Sequence, residues 1–451
     1  MDVFTDSTLR RHAFLTARGF EHRDGATWTI EPFDAGQLGN SDQIFTRLYS
    51  ANRAVWILDR ETARALRRPL EIPSTVFDVQ RNTKAATYLQ MAERISFQPR
   101  GKDQKDSLLL FPEKIEQWGI DLDDSDAESI EAAMVRLQDH FGRSLVYPPG
   151  RLSTYLMEGI RDRAREQVNF RSRPESFTLF RSINFLDWTR TRPFTEAEQG
   201  MGFVHSFDKN AMYLNAAAIA LPIGNYRHTA NPAITNQPGI WRARIRPLSG
   251  CALWNPPGAH NQWVYTPTLL QLQELGLIDE VCEAWISDES HKLFPTWQSR
   301  LKKALAGAKA ERPEVAELMT RFVKSIYTKG IGYLNSDLFK EEWFFRPDWW
   351  GMIVSEAAAR TFRDAAQVLV ECATIPVATH IDCLYYVSDE PDPYTAFPTF
   401  RSAFANKFKW KGTCRLTPEI IAAHGAGKKS GEFAGLIKRG IKAYLRESVK
   451  S

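Results

Sequence analysis

At 451 residues, with 43% hydrophobic and 25% charged side chains, the chain has the make-up of a globular protein with material for two or three domains. A net charge of +4 names no partner by itself, and five cysteines (Cys251, Cys282, Cys372, Cys383, Cys414), odd in number and without a CxxC pair, argue against a disulfide scaffold and a structural zinc site. No apolar run approaches membrane-spanning length and the start carries no basic region followed by an apolar one, so a cytoplasmic protein with no membrane partner is expected.

Along the first ~100 residues, short apolar runs such as Ala54-Val55-Trp56-Ile57-Leu58 alternate with Arg-rich polar stretches, and the charged segment Gly101–Asp106 suits a boundary. Ile130, Met134, Leu137 and Phe141 recur at helical spacing behind Asp123-Asp124-Ser125, predicting a helix over 126–141. A turn at Tyr147-Pro148-Pro149-Gly150 precedes a predicted helix from Leu152 to about Val168. From Val204 the pattern becomes strands alternating with helices: a strand at Val204–Phe207, a helix at Ala211–Leu221, strands at Trp241–Ile245 and Cys251–Trp254, a helix at Thr266–Leu275 and a strand at Glu280–Ile286. Pro295–Ala310 and Pro313–Lys329 predict two helices joined by Glu311-Arg312, and so short a link makes them an antiparallel hairpin. A long amphipathic helix at Trp349–Cys372 and strands at Ile375–His380 and Cys383–Ser388 follow. From Arg401 to Ser451 there are twelve Lys/Arg against three Glu and no Asp, a basic end suited to a phosphate backbone or to a solvated helical face.

Three stretches hold the chemistry. Asp208 ends an apolar strand just before a helix, where a carboxylate can hold a divalent cation or simply cap the helix. Tyr213 follows and faces the same cleft, or packs as a core tyrosine. Asp382 stands within the apolar run His380-Ile381-Asp382-Cys383-Leu384-Tyr385-Tyr386-Val387, a placement that costs several kcal/mol unless the charge is paired or bound to metal. In the helical hairpin Arg321 and Lys324 share a face, and counting back from the turn sets Arg300 and Lys303 opposite Lys324. Such cations repel one another unless an anion such as a triphosphate lies among them, the alternative being a solvated basic surface. Gly330 and Gly332 at the helix exit permit close approach of a base pair, or stop the helix. Two carboxylates and a lysine in this order point to two-metal phosphoryl transfer on a nucleoside triphosphate.

These stretches resemble motifs A, B and C of the family B DNA polymerases. Asp208-Lys209-Asn210-Ala211-Met212-Tyr213-Leu214-Asn215 is similar to D-x-x-S-L-Y-P-S at its aspartate and tyrosine. Lys324 and Gly332 match K-x-x-x-N-S-x-Y-G, with Thr328 and Ile331 replacing Asn and Tyr. Asp382-Cys383 aligns with the end of D-T-D-S, and His380 stands where the first aspartate would be. A late K-x-Y is echoed by Lys442-Ala443-Tyr444. The resemblance covers Val204 to the C-terminus; Trp188-Thr189-Arg190, Val204–Asp208, Arg346–Trp349 and the hairpin also look like telomere-associated (Tap-like) and mobile-element proteins of actinobacteria.

The expected fold is α+β: the resemblance implies a palm with an antiparallel sheet, a helical-hairpin fingers subdomain and a reduced thumb, and the residues before it read as a mixed, mostly helical N-terminal region. The corresponding ranges are 1–200, 201–292 (palm, motif A), 293–332 (fingers), 333–400 (palm, motif C) and 401–451 (thumb remnant). It implies Mg2+, or Mn2+, at Asp208, Asp382 and the backbone carbonyl of Lys209; a dNTP triphosphate at Lys324, Arg300, Lys303 and Arg321; deoxyribose selection by Tyr213; and DNA at Lys442 and Tyr444. Partners are then DNA, dNTP and a terminal protein, at the nucleoid, in the replication of linear or mobile DNA. The proofreading pattern is imitated only by Asp59-Arg60-Glu61-Thr62, which reads as a solvent-exposed helix start, so proofreading is not expected. A non-catalytic DNA-binding protein on a decayed polymerase scaffold is the second reading, and a nuclease using the same carboxylates the third.

Overall fold

The computed structural model describes residues 11–48, 53–67, 69–70, 79–82, 86–91, 94–99, 107–123, 125–142, 179–180, 190–191, 193–246, 262–337, 345–372, 374–380, 382–425 and 430–448. The predicted Gly101–Asp106 boundary, the Tyr147–Gly150 turn, the Leu152–Val168 helix, the Cys251–Trp254 strand and Trp188-Thr189 lie outside these residues. Two compact units divide the chain: Met1–Glu158 with Thr296–Gly330, and Gly159–Pro295 with Ile331–Ser451.

The first unit is built on eight strands: β1 (Arg11–Thr16), β2 (Gly19–Asp24), β3 (Thr27–Glu31), β4 (Arg53–Ile57), β5 (Val79–Asn82), β6 (Ala86–Met91), β7 (Arg94–Pro99) and β8 (Ser107–Leu110). They form one sheet in the order β3-β2-β1-β4-β8-β7-β6-β5, with β1–β4 and β4–β8 parallel. This corrects the mostly helical expectation for the N-terminal region. The central strands β4 and β8 are buried runs without a polar alternation, as parallel strands covered on both faces are, and such short apolar runs have no period that separates strand from helix. Helices Ser41–Leu48 and Arg60–Arg67 cover the sheet through Ile44, Phe45, Leu48, Ala63 and Leu66. Asp59 accepts from the Thr62 amide at 2.7 Å, so the Asp59–Thr62 stretch is a helix start as read from the sequence.

The helix read over 126–141 spans Ala127–Phe141, capped by the Asp126 side chain on the Ser129 amide. The predicted hairpin is present as Pro295–Ala308 and Pro313–Tyr333. Its second helix runs on from Lys329 to Tyr333, so Gly330 and Gly332 fall in its last turn, at the exit expected from the sequence. Trp118 anchors it: the indole packs edge-on against Phe322 and Trp56, and its carbonyl accepts from Ser325 Oγ at 3.1 Å. Arg136 pairs with Glu311 at 3.0 Å.

The second unit holds β9 (Arg190–Thr191), β10 (Phe203–Lys209), β11 (Leu221–Pro222), β12 (Tyr226–Ala230), β13 (Gly239–Ile245), β14 (Gln262–Tyr265), β15 (Ile278–Ser287), β16 (Ser290–His291), β17 (Ala378–His380), β18 (Cys383–Ser388) and β19 (Phe408–Arg415). A five-stranded antiparallel sheet runs β19-β10-β18-β17-β9, and a four-stranded one runs β12-β15-β13-β14. The predicted helix Ala211–Leu221 is shorter, Met212–Ala216, and Leu221-Pro222 instead pairs with Ser290-His291. The ring of Pro222 disfavours helical backbone at Leu221, which releases the segment to extend.

Alternation along β10 and β18 gives the five-stranded sheet two apolar faces. Phe207, Leu384 and Tyr386 meet Ala365 and Val368 of helix Pro347–Cys372, together with Phe397, Phe400, Phe404 and Phe408. Val204, Cys383, Tyr385 and Val387 meet Ile420, Phe433 and Ile437 of helices Pro418–Gly425 and Ser430–Ser448. Helix Pro347–Cys372 also gives Phe362 to the core of the four-stranded sheet. Its start is held by the buried Arg346–Asp348 pair at 2.5 Å, with Tyr226 Oη donating to Asp348 at 2.9 Å.

The register of β10 on β19 shifts between Ser206 and Phe207, which pair with Gly412 and Trp410 and leave Lys411 as the extra residue of a bulge. At Gly412 a Cβ would lie 2.5 Å from Ile441 Cγ2, so the strand reaches its bulge only because this residue has no side chain. Gly412→Ala is expected to lower stability by roughly 1–3 kcal/mol, and adding Ile441→Ala should restore part of it; a denaturant double-mutant cycle with no coupling would refute the contact.

Candidate active site

Pairing of β10 with β18 sets the site. Asp208 lies directly opposite Cys383, and β17 and β18 pair at His380↔Cys383, so Asp382 stands in the two-residue connection beside them. The Lys209 amide donates to the Asp382 carbonyl at 2.8 Å, tying the end of one strand to the turn of the other. One donor atom from each of Asp208, Asp382 and Cys383 lies within 4.8 Å of the others. The two carboxylates predicted from the sequence are therefore together.

Asp208 is only 2% exposed. It belongs to the strand, and the N-cap of the following helix is Ala211, which makes no side-chain cap bond; capping is not the role of Asp208. Ala211 has a left-handed φ of 45°, turning the chain sharply between Asp208 and Tyr213, and such strain at a non-glycine residue belongs to sites where surrounding structure fixes the backbone. Asp208 Oδ1 accepts from Cys383 Sγ at 3.2 Å and lies 3.5 Å from Lys411 Nζ, while Oδ2 lies 3.7 Å from Lys409 Nζ. Burial works against the Lys411 ammonium, but Cys383 and Asp208 outweigh it and its pKa is raised. Burial, with the nearby carboxylates, pushes the Cys383 thiol up to about 12.

Lys209 points to the opposite face of the sheet. Its ammonium pairs with Asp364 and reaches the Arg360 carbonyl at 3.4 Å, and burial lowers its pKa to about 8. Half-buried Tyr213 has its phenol raised to about 12, first by burial and then by the charge of Asp382. Arg300, Lys303 and Lys324 are exposed on the helical pair of the first unit, and Arg321 on the same pair is bonded to Glu317. Tyr444 packs edge-on against Phe203 at 5.9 Å, five residues along β10 from Asp208 and so about 17 Å away. Lys442 is exposed on the same C-terminal helix.

Lys409 and Lys411, cations that lie on Asp208 among the described residues, are absent from the sequence reading. Their signal is the alternation Lys409-Trp410-Lys411 in a strand-like run, which does not reveal the strand it joins. Asp208, Asp382 and Cys383 suit a divalent cation by donor type and spacing.

No protein-family profile matches the chain, and no curated protein matches it in sequence. Among solved structures, the chain is similar to Phi29 DNA polymerase complexed with single-stranded DNA, with a TM-score of 0.50 and 10% identity over 90% of this chain and 85% of that one. Phi29 DNA polymerase complexed with primer-template DNA in a post-translocation binary complex gives a TM-score of 0.49 and 11% identity over the same shares. At 10% identity the likeness to the first is one of fold: this chain has a DNA-polymerase-like fold of the Phi29 type. Among the described residues no helix is long and apolar enough to cross a membrane.

Beside the site, His205 is buried with Nδ1 2.9 Å from Thr413 Oγ1 and Nε2 2.8 Å from Ser388 Oγ. Burial lowers its pKa from 6.5 to about 4. Between these values the unfolded chain binds the extra proton, so this contribution to stability is complete above pH 6.5 and is lost as pH falls toward 4. Melting temperatures measured across that window should fall less steeply with acid in His205→Gln; an unchanged slope would refute the assignment.

Proposed function

We propose that this protein is a family B-like DNA polymerase without proofreading that transfers a nucleotidyl group from a dNTP to a primer hydroxyl. The acceptor is a DNA 3′ end or a hydroxyl of a terminal protein, in replication or end synthesis of linear or mobile DNA; the Tap-like resemblance of the sequence supports that setting. The observation that carries the reading is the convergence of Asp208 and Asp382 at the end of two paired strands of a Phi29-type fold.

Asp208, Asp382 and the Lys209 carbonyl would hold Mg2+ or Mn2+, which when bound activates the attacking hydroxyl and neutralises charge on the leaving pyrophosphate. Lys209 keeps its ammonium on Asp364, leaving its backbone for that task. Tyr213, protonated at neutral pH beside Asp382, offers a ring and a hydroxyl against the sugar and so selects deoxyribose. Exposed Lys324, Arg300 and Lys303, with Arg321, supply the positive charge for the triphosphate. Lys442 and the basic C-terminal segment attract DNA phosphates, and Tyr444 holds their helix on Phe203.

A second reading has its own support. Lys409 and Lys411 already neutralise Asp208, as a scaffold that binds DNA without turnover would have them do. Primer extension with dNTP and Mg2+ or Mn2+ separates the two. The polymerase reading expects extension that falls at least about 100-fold in Asp208→Ala and in Asp382→Ala, the scale on which loss of a supporting group alone already acts at metal sites. Activity equal to wild type in either variant would end it, and salt-dependent DNA binding with no extension under any metal would favour the scaffold.

A further inference from the structure

The donors around Asp208 are not all oxygens. Asp208 pairs directly with Cys383 on one side and Lys409 on the other, and Cys383 pairs with His380. Directly opposed residues of antiparallel strands share a face with Cβ atoms about 4.5–5.5 Å apart, so Lys409, Asp208, Cys383 and His380 form one row across four strands. Cys383 Sγ is 3.2 Å from Asp208 Oδ1 and 3.9 Å from Asp382 Oδ1. Two donors on one tetrahedral cation with bonds of about 2.0–2.3 Å sit about 3.5 Å apart, so the spacing suits donors of a single ion. A separate observation falls on the same row: Nδ1 of His380 is buried with no hydrogen-bond partner among the described residues.

We propose that Cys383 is a metal ligand of this site, and that its sulfur makes the site prefer borderline-soft divalent cations such as Zn2+ and Cd2+ over Mg2+. The inference rests on the reading that Asp208 and Asp382 hold a divalent cation, and adds a sulfur donor through which the same site binds Zn2+-like ions more tightly than the Mg2+ or Mn2+ of that reading. Thiolate favours zinc-like ions, whereas Mg2+ takes oxygen ligands in near-octahedral order and gains nothing from sulfur. On coordination the Sγ proton leaves to solvent and the sulfur lone pair forms the new bond. Lys411, 3.3 Å from Sγ and about half exposed, swings outward to make room.

The test uses the full-length chain stripped of metal. Cd2+ is titrated while the ultraviolet thiolate-to-metal charge-transfer band is recorded, and Zn2+ and Mg2+ affinities are measured by equilibrium dialysis. The wild type should give the band with about one Cd2+ per chain. Cys383→Ser should lose it and bind Zn2+ at least about tenfold more weakly, with Mg2+ binding unchanged. Cys414→Ser, which removes a buried thiol of the same apolar cluster, controls for folding and should keep the band. No band in the wild type, or wild-type Zn2+ affinity in Cys383→Ser, overturns the proposal. The underlying reading fails separately, if Asp208→Asn and Asp382→Asn leave both Zn2+ and Mg2+ binding intact.

Discussion

Two negative charges held side by side are the constraint around which the second unit is organised. Antiparallel pairing of β10 and β18, closed by the bond from the Lys209 amide to the Asp382 carbonyl, brings the Asp208 and Asp382 carboxylates within 4.8 Å. At that distance like charges repel by about 3.5 kcal/mol for an effective dielectric of about 20. A fold that keeps them there needs compensating positive charge, and β19 delivers it as Lys409 and Lys411. The same electrostatic deficit would be met by a cation bound at the carboxylates, so protein and ligand compete to satisfy one demand. That competition is why a single arrangement supports both a catalytic reading and a binding one.

The rest of the sheet serves this placement. Phe207 and Lys209 face helix Pro347–Cys372, where Phe207 stacks on Phe400 and Lys209 reaches Asp364. Val204, Ser206 and Asp208 face the other way, so the alternation that buries the strand also aims the carboxylate away from the long helix. The bulge on β19 breaks this alternation once. It brings Lys411 as well as Lys409 to Asp208, and Gly412 lets Ile441 close over the irregularity.

Much of the second unit was legible in the chain because its elements have strong local signatures. Thr266–Glu274, Pro347–Cys372 and both hairpin helices fall within a few residues of expectation, with prolines marking first turns and apolar residues at helical spacing. The N-terminal sheet was not legible. Its parallel strands β4 and β8 are four or five residues long and apolar after their first residues, Arg53 and Ser107, and partners such as β1 and β4 are separated by a helix and further strands. Glycines 330 and 332 were read correctly as marking the end of their helix, which stops at Tyr333, because low helix propensity acts locally.

The sequence alone determined that Asp208 ends an apolar strand, that Asp382 sits in a tight connection between two others, and that a short-linked helical pair carries clustered cations. These are properties of neighbouring residues, and local periodicity and turn chemistry express them directly. Only the tertiary structure decided that Lys409 and Lys411, some two hundred residues from Asp208, are its partners, that Cys383 faces it, and that Tyr444 packs far along the strand. Strand order and register arise from the fit of distant apolar faces and from one bulge, and no local pattern encodes which distant strand a lysine will lie beside.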